Sequence, residues 1–337
     1  MVEMAEEKKV KLAFYWAATC GGCDVATLDI EERILDVAAI ADIVFWPVAM
    51  DFKYEDVEKL EDGSVDVCIF NGAVRLSEHE EVAKLLRRKS KVMVAFGSCA
   101  CFGGIPGLAN VADKEQIFNI AYKETVSTEN PEGVTPQTEL EVDGKKLTLP
   151  AFFDEVFPLD RVVDVDYYVP GCPPAVERIN DLVGIVAKYA ETGELPPKGA
   201  VIASEKTLCD ECPRKREEKR IKEIRRPQDF MPDLETCLLE QGLICLGPAT
   251  RGGCGARCIN ANMPCRGCYG PTAAVRDHGA SALSAIASVL GLDEEAEMTE
   301  EQLTALIDQI KDPLGTFYRF TLPSALINKV VRKKEVE

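Results

Sequence analysis

The sequence is short of histidine. His79 and His278 are the only two in 337 residues, too few imidazoles to anchor a nitrogen-ligated metal centre. Positive charge is also scarce. The formal net charge is −18, which argues against binding nucleic acid by phosphate neutralisation and against adhesion to an anionic membrane; the excess acid reads as solvated surface. No run approaches ~18 uninterrupted apolar residues, so no bilayer-spanning helix is expected. There is no Walker lysine loop, no GxGxxG after a strand and no Ser–His–Asp array. Residues Met1 to Val10 are charged rather than apolar. The pairs Arg87-Arg88 and Arg225-Arg226 lie deep in the chain, so no leader is read and a cytoplasmic location is expected.

What stands out against these absences is 14 cysteines. In a reducing compartment disulfides are disfavoured, and clustered thiols point to metal ligation. With 46% hydrophobic residues the chain can build a core, and its length predicts roughly two domains.

Residues 1–195 alternate between strand and helix patterns. Lys11 to Ala18, Asp42 to Val48, Val65 to Phe70, Lys91 to Phe96 and Val162 to Val169 read as strands. Asp24 to Ile40, Glu78 to Arg88 and Ala175 to Tyr189 carry helical spacing. That alternation predicts an α/β domain, a flavodoxin-like doubly wound parallel sheet. Glu124 to Pro150 reads as a polar insertion before the last strand. Pro196-Pro197-Lys198-Gly199 looks like a linker to a second domain, residues 196–337, expected to be loop-rich with a few helices. Its segment Cys209 to Pro271 shows little periodicity and would need metal to fold. Helical patterns return at Ser281 to Leu290 and Thr299 to Ile310. The basic run Arg214 to Arg226, interspersed with glutamates, reads as a solvated helical face.

Four thiols fall after strands: Cys20 and Cys23 of a CGGC motif after the first, Cys99 after the strand from Lys91, and Cys172 after the strand from Val162. The carboxyl ends of parallel strands share one edge of a sheet, so these four converge there, and four thiolates are what a [4Fe–4S] cluster requires. Gly21, Gly22, Gly97 and Gly171 would let the backbone approach. Structural zinc and inert buried thiols are the competing readings. Cys101 competes with Cys99 for the third position; Cys99 is preferred because it directly follows the strand turn. Cys68 lies inside an apolar strand and reads as a core thiol.

Eight more cysteines follow: Cys209, Cys212, Cys237, Cys245, Cys254, Cys258, Cys265 and Cys268. They supply two further sets of four. With 52 residues between the CxxC pairs, zinc-ribbon spacing fits poorly. Spacing alone does not partition them; chain proximity favours Cys254, Cys258, Cys265 and Cys268 as one set and Cys209, Cys212, Cys237 and Cys245 as the other. Three [4Fe–4S] clusters and no nucleotide motif suggest an electron wire whose redox partners lie in other chains.

The series Cys20-Gly-Gly-Cys23, Gly97-Ser-Cys99-Ala with Gly103-Gly104, Pro170-Gly-Cys172-Pro-Pro and the later cysteine run resembles [NiFe]-hydrogenase small subunits over most of the chain. Gln241 to Thr250, Pro264 to Pro271, Gly315-Thr-Phe-Tyr and Thr321 to Ile327 resemble the cytoplasmic, methyl-viologen-reducing type that works with heterodisulfide reductase. The resemblance implies a proximal cluster on Cys20, Cys23, Cys99 and Cys172, a medial one on Cys254, Cys258, Cys265 and Cys268, and a distal one on Cys209, Cys212, Cys237 and Cys245. It implies a large subunit carrying the nickel–iron centre, and a partner assembly with a [2Fe–2S] linker subunit and heterodisulfide reductase. Two departures matter. Cys209 and Cys258 stand where membrane-linked members often have other residues, which implies all-cysteine, lower-potential sites. Thr19 stands where some members place a proton-carrying glutamate, so that role is not carried over. An NAD-linked or ferredoxin-linked bifurcating hydrogenase and a stand-alone multi-cluster carrier are the alternatives. A respiratory complex I-type subunit shares only the first domain and its site, and a zinc-stapled scaffold requires a different metal.

Overall fold

A computed structural model describes residues 9–217, 221, 223–290 and 299–327. Five parallel strands form the central sheet: β1 (Val10–Trp16), β2 (Ala41–Phe45), β3 (Val65–Asn71), β4 (Ser90–Phe96) and β5 (Tyr167–Val169). Their spatial order is β2-β1-β3-β4-β5, the flavodoxin-like doubly wound arrangement. Side chains alternate between two buried faces, as a two-residue period dictates. Leu12, Phe14, Ile69, Val94 and Phe96 pack on one face with helices Gly22–Leu28, Ile34–Ile40 and Val176–Thr192. Ala13, Tyr15, Cys68, Phe70 and Met93 pack on the other with helices Ser77–Lys89 and Gly97–Phe102. Burial on both faces is why these strands read as near-continuous apolar runs. In this order the chain leaves β1 in opposite directions to β2 and β3, and the crevice outside the carboxyl ends at that switch point is where such sheets build sites.

Three expected elements came out differently. The helical pattern Asp24 to Ile40 is broken into two helices by Glu31, which sits at φ 55. A left-handed residue interrupts the hydrogen-bond ladder, and the break turns Ile30 into the core. Of Val162 to Val169 only Tyr167–Val169 is strand. At Asp166 the backbone N–H still donates to the Met93 carbonyl (2.8 Å), but the return bond from the Met93 N–H goes to the Asp166 carboxylate (2.8 Å), which also takes the Arg87 guanidinium (2.6 Å), and the ladder ends there. Arg214 to Arg226 has no helix among its described residues. Arg214 is instead buried and donates to the carbonyls of Asp233 (2.6 Å) and Thr236 (2.9 Å) and to Asn262 Oδ1 (2.6 Å), bracing loops that lack a ladder of their own. Residues 218–220 and 222 of that run lie outside the described residues. The insertion Glu124 to Pro150 ends in an exposed hairpin, Glu139–Val142 with Lys145–Thr148.

The Pro196 to Gly199 connection is pinned to the sheet edge: Tyr167 OH donates to the Pro196 carbonyl (2.7 Å), and Val201 bridges Tyr168. Beyond it the chain runs mostly in loops around Leu208, Leu238, Leu243, Leu246 and Ile259. This tail buries more apolar surface than its own pattern promises, because helix His278–Ala287 supplies Ala282 and Ile286, and the last turns supply Phe317 and Leu322. Helix Glu300–Ile307 opens on a capping box at Thr299. Among the described residues no helix is long and apolar enough to cross a membrane. The tail is bonded to the sheet region: Ser98 Oγ donates to the Cys268 carbonyl (2.5 Å), Ala175 N–H to Tyr269 OH (3.0 Å) and Gly104 N–H to the Phe320 carbonyl (3.1 Å).

Candidate metal centre

At the carboxyl edge, Cys20 lies in the turn after β1 and Cys23 in the first turn of helix Gly22–Leu28. Cys99 lies in helix Gly97–Phe102, which begins as β4 ends, and Cys172 follows β5 by way of Pro170 and Gly171. The structure brings these four together. Burial, then Cys99, Cys172 and Cys20 in turn, push the Cys23 thiol far up. Cys99 is raised to about 11 by burial, Cys172 and Cys20, against hydroxyl and amide donation from Thr19 and Ile105. Gly97 has φ +85, and a Cβ there would overlap the Cys23 sulfur, so both backbone conformation and space require glycine. Cys23 and Cys99 are buried, whereas Cys20 and Cys172 are exposed.

Cys101 belongs to the opposite face of the sheet. It packs in the same core as Cys68, Phe70 and Leu159, and its thiol donates to the Ala95 carbonyl (3.3 Å). Cys68 is fully buried in β3.

In the tail, Cys209, Cys212, Cys237 and Cys245 line one cavity of about 210 Å³. Burial raises Cys209, an effect opposed by the Arg216 guanidinium, which is hydrogen-bonded to its sulfur. Cys254, Cys258 and Cys268 gather elsewhere; burial, then Cys254, Cys172 and Cys258, raise Cys268 to about 12. Cys265 lies between the groups. Its amide donates to Cys245 Sγ (3.4 Å), and its thiol is raised well above the usual range by burial, then Cys245. Cys268 in turn neighbours Cys172, and its carbonyl accepts from Ser98 Oγ (2.5 Å) beside Cys99. Two contacts therefore chain the three groups of thiols: Cys172 with Cys268, and Cys265 with Cys245.

Several polar contacts around the thiols escaped the sequence reading. Glu211, inside the Cys209-x2-Cys212 motif, accepts the Gly253 N–H (2.9 Å) and Ala256 N–H (3.3 Å) and so shapes the loop that presents Cys254. Thr250 hydrogen-bonds the Cys265 thiol and lies 3.0 Å from His278 Nε2. Thr19 reaches Cys99. His278 is itself buried, its Nδ1 3.4 Å from Thr321 Oγ1, and burial lowers it to about 4, so its ring is neutral.

The donor set fits iron–sulfur ligation. Among the described residues no group of three or more His, Cys, Asp or Glu side chains is arranged to hold a single ion; the Cys209 group instead surrounds a volume. Thiols crowded so that their ionised forms repel, and met by amides of Gly22 (to Cys20, 3.4 Å) and Cys265, suit a polynuclear core whose irons carry the compensating charge.

Comparison with known proteins agrees with this chemistry. The family described as NADH ubiquinone oxidoreductase, 20 Kd subunit, matches residues 20–185, the sheet region alone. An iron–sulfur subunit of the F420-non-reducing hydrogenase of Archaeoglobus profundus is 43% identical over 334 residues, 96% of this chain and 99% of that protein. A subunit of the F420-non-reducing hydrogenase of Methanothermobacter marburgensis is 40% identical over 339 residues, 98% and 99% of the two chains. Among solved structures, a crystal structure of NAD+-reducing [NiFe]-hydrogenase in the H2-reduced state is similar at 28% identity, covering 53% of this chain and 91% of that one, with a TM-score of 0.46. Fold, thiol array and relatives together define an iron–sulfur small subunit of a hydrogenase, a part of an oxidoreductase that transfers electrons. Within that class, the chain belongs to the family of iron–sulfur subunits of the F420-non-reducing hydrogenases.

Proposed function

We propose that this subunit carries electrons released by H2 oxidation at a [NiFe]-hydrogenase large subunit through three [4Fe–4S] clusters to a cytoplasmic partner, with a [2Fe–2S] linker subunit and a heterodisulfide reductase complex as the acceptor. The ligand sets are Cys20, Cys23, Cys99 and Cys172 (proximal), Cys254, Cys258, Cys265 and Cys268 (medial), and Cys209, Cys212, Cys237 and Cys245 (distal). Residues 1–195 form the domain holding the first set, and residues 196–337 the domain holding the other two.

The observation that carries this reading is the serial proximity of the thiol groups, with Ser98 beside Cys99 donating to the Cys268 carbonyl (2.5 Å) and the Cys265 amide donating to Cys245 Sγ (3.4 Å). When bound, the clusters would each accept and pass on one electron. The chain's own residues hold the thiols and keep them dry, Cys23, Cys99, Cys245 and Cys265 being buried. Amide and hydroxyl donors at Cys99 and Cys265 stabilise the thiolate forms, and the Gly22 amide meets the Cys20 sulfur (3.4 Å). Exposed Cys20 and Cys172, beside half-exposed Trp16, support a large subunit covering the proximal end.

The test is metal analysis of the natively purified complex. Three cubanes require about twelve irons per chain with equal labile sulfide, and nickel should travel with a copurified large subunit. Two or three zinc ions per chain without sulfide would overturn the proposal. Copurification with heterodisulfide reductase supports the acceptor; copurification with an NAD-reducing flavoprotein replaces it.

A further inference from the structure

In a chain of net charge −18, one cavity of about 220 Å³ is walled by Arg225, Arg226, Arg266, Lys311 and Arg319 against a single carboxylate, Asp312. Four separate stretches of the tail converge to make it and three of them supply the cations, so the concentration of charge arises from the fold rather than from one basic run. Little of this charge is compensated among the described residues. Asp312 Oδ1 is occupied in capping the Gly315 N–H (2.9 Å). Arg225 uses its Nε on Glu223 (3.3 Å), and its plane lies over the Phe230 ring (3.6 Å to the centroid), which holds the guanidinium in place. Arg319 Nε donates to the Gly315 carbonyl (2.9 Å) and Lys311 Nζ to the Asp308 carbonyl (3.2 Å), bonds that orient the cations without neutralising them. Arg266 also faces the thiols of Cys245, Cys258 and Cys265, but the rest of the basic wall is not accounted for by ligand chemistry.

Holding five cations together is unfavourable unless a ligand supplies negative charge. The volume is below that of a pocket for a whole drug-sized ligand, for which about 300 Å³ is the lower end, but it suits an anionic headgroup. We propose that this cavity is a binding site for a small molecule bearing a phosphate or polycarboxylate group, with at least two negative charges.

The experiment is calorimetric titration of the intact, iron-replete complex with pyrophosphate and, separately, citrate. Saturable binding of either is expected, weakened by added salt, and the tighter probe identifies the headgroup class. Arg226→Ala and Lys311→Ala, which remove exposed cations at the mouth of the cavity, should each weaken it by about threefold to fivefold, the arithmetic of one lost charge pair in contact with solvent; both retain the cysteines, and iron content checks their integrity. No binding of either probe overturns the proposal, as does binding that both substitutions leave unchanged. Release of a partner subunit from an iron-replete Arg226→Ala complex also overturns it, because the basic wall would then be a protein-docking surface.

Discussion

Cys99 and Cys101 differ by two residues and by everything that matters for ligation, and substituting each separates the two roles. Successive residues of an α-helix turn by 100°, so i and i+2 face opposite sides. Cys99 faces Cys172 and Cys20, and Cys101 faces the core beneath the sheet at 2% exposure. Cys101→Ser places a smaller hydroxyl where the thiol donates to Ala95 O (3.3 Å). The bond can be kept, so the cost is about 1–2 kcal/mol for a small void and an imperfectly solvated hydroxyl. That is a fraction of the ~5–15 kcal/mol typical of a native domain, so the variant should fold, with melting lowered by a few degrees and its iron unchanged. Cys99→Ala leaves three thiolates at the proximal position. It should reduce iron from about twelve per chain to between about eight and eleven, depending on whether the whole cubane or one iron departs. Iron, labile sulfide and low-temperature EPR of the purified complex measure both variants. The reasoning fails if Cys101→Ser loses iron while Cys99→Ala keeps it.

Three further outcomes follow from the same geometry. Gly97→Ala should lose proximal iron much as removal of Cys23 would, because the methyl group overlaps the Cys23 sulfur and the +85° φ adds about 1–2 kcal/mol of strain; iron analysis that matches wild type refutes this. Arg216→Gln should lower the midpoint potential of the distal cluster. A unit charge at roughly 7 Å in an effective dielectric of about 20 is worth about 2 kcal/mol, and exposure halves that, so a drop of about 50 mV is expected in an EPR-monitored redox titration. His278 should make the subunit acid-sensitive. Its folded value of about 4 lies below the unfolded value of about 6.5, so its contribution is complete above pH 6.5 and is lost as pH falls towards 4. At pH 5 the loss is about 2 kcal/mol. Melting of the complex between pH 7 and 5 should therefore fall more steeply than in His278→Asn, and equal slopes for the two refute the assignment.

Much of the sheet was legible because its strands are buried on both faces. Val65-Asp66-Val67-Cys68-Ile69-Phe70 shows why one acid did not disguise β3: Asp66 accepts the Lys11 N–H (2.8 Å) and the Lys91 ammonium (2.6 Å) at the rim of the sheet. The thiol-bearing turns were legible for a topological reason, since in a parallel sheet every strand delivers its following loop to the same edge. The break at Glu31 was not legible. A left-handed glutamate is locally unfavourable, and it accompanies the burial of Ile30 in the core, a tertiary contact that local sequence does not announce. In Arg214 to Arg226 the exposure was legible and the absence of a helix was not: Lys215, Arg216, Glu217, Glu223 and Arg226 are exposed, whereas Arg214 forms three hydrogen bonds in the loop interior.

The polar residues around the thiols mark the deeper limit of reading a sequence by motif. Cysteines announce themselves by spacing, since ligands on one turn must be near in sequence. The residues that position them need only be near in space. Glu211 shapes the Cys254 loop across 42 residues, and Thr250 reaches His278 across 28. Each is a single ordinary residue type with no periodicity to betray it. The same holds for the contacts that string the thiol groups together, because Cys172 meets Cys268 only where the tail packs against the sheet, and Cys245 meets Cys265 only where the tail folds on itself. Ser98 and Tyr269 hold that junction, one through the Cys268 carbonyl and the other through the Ala175 amide. The number of clustered thiols is thus a property of the sequence, and the order in which they meet is a property of the packing.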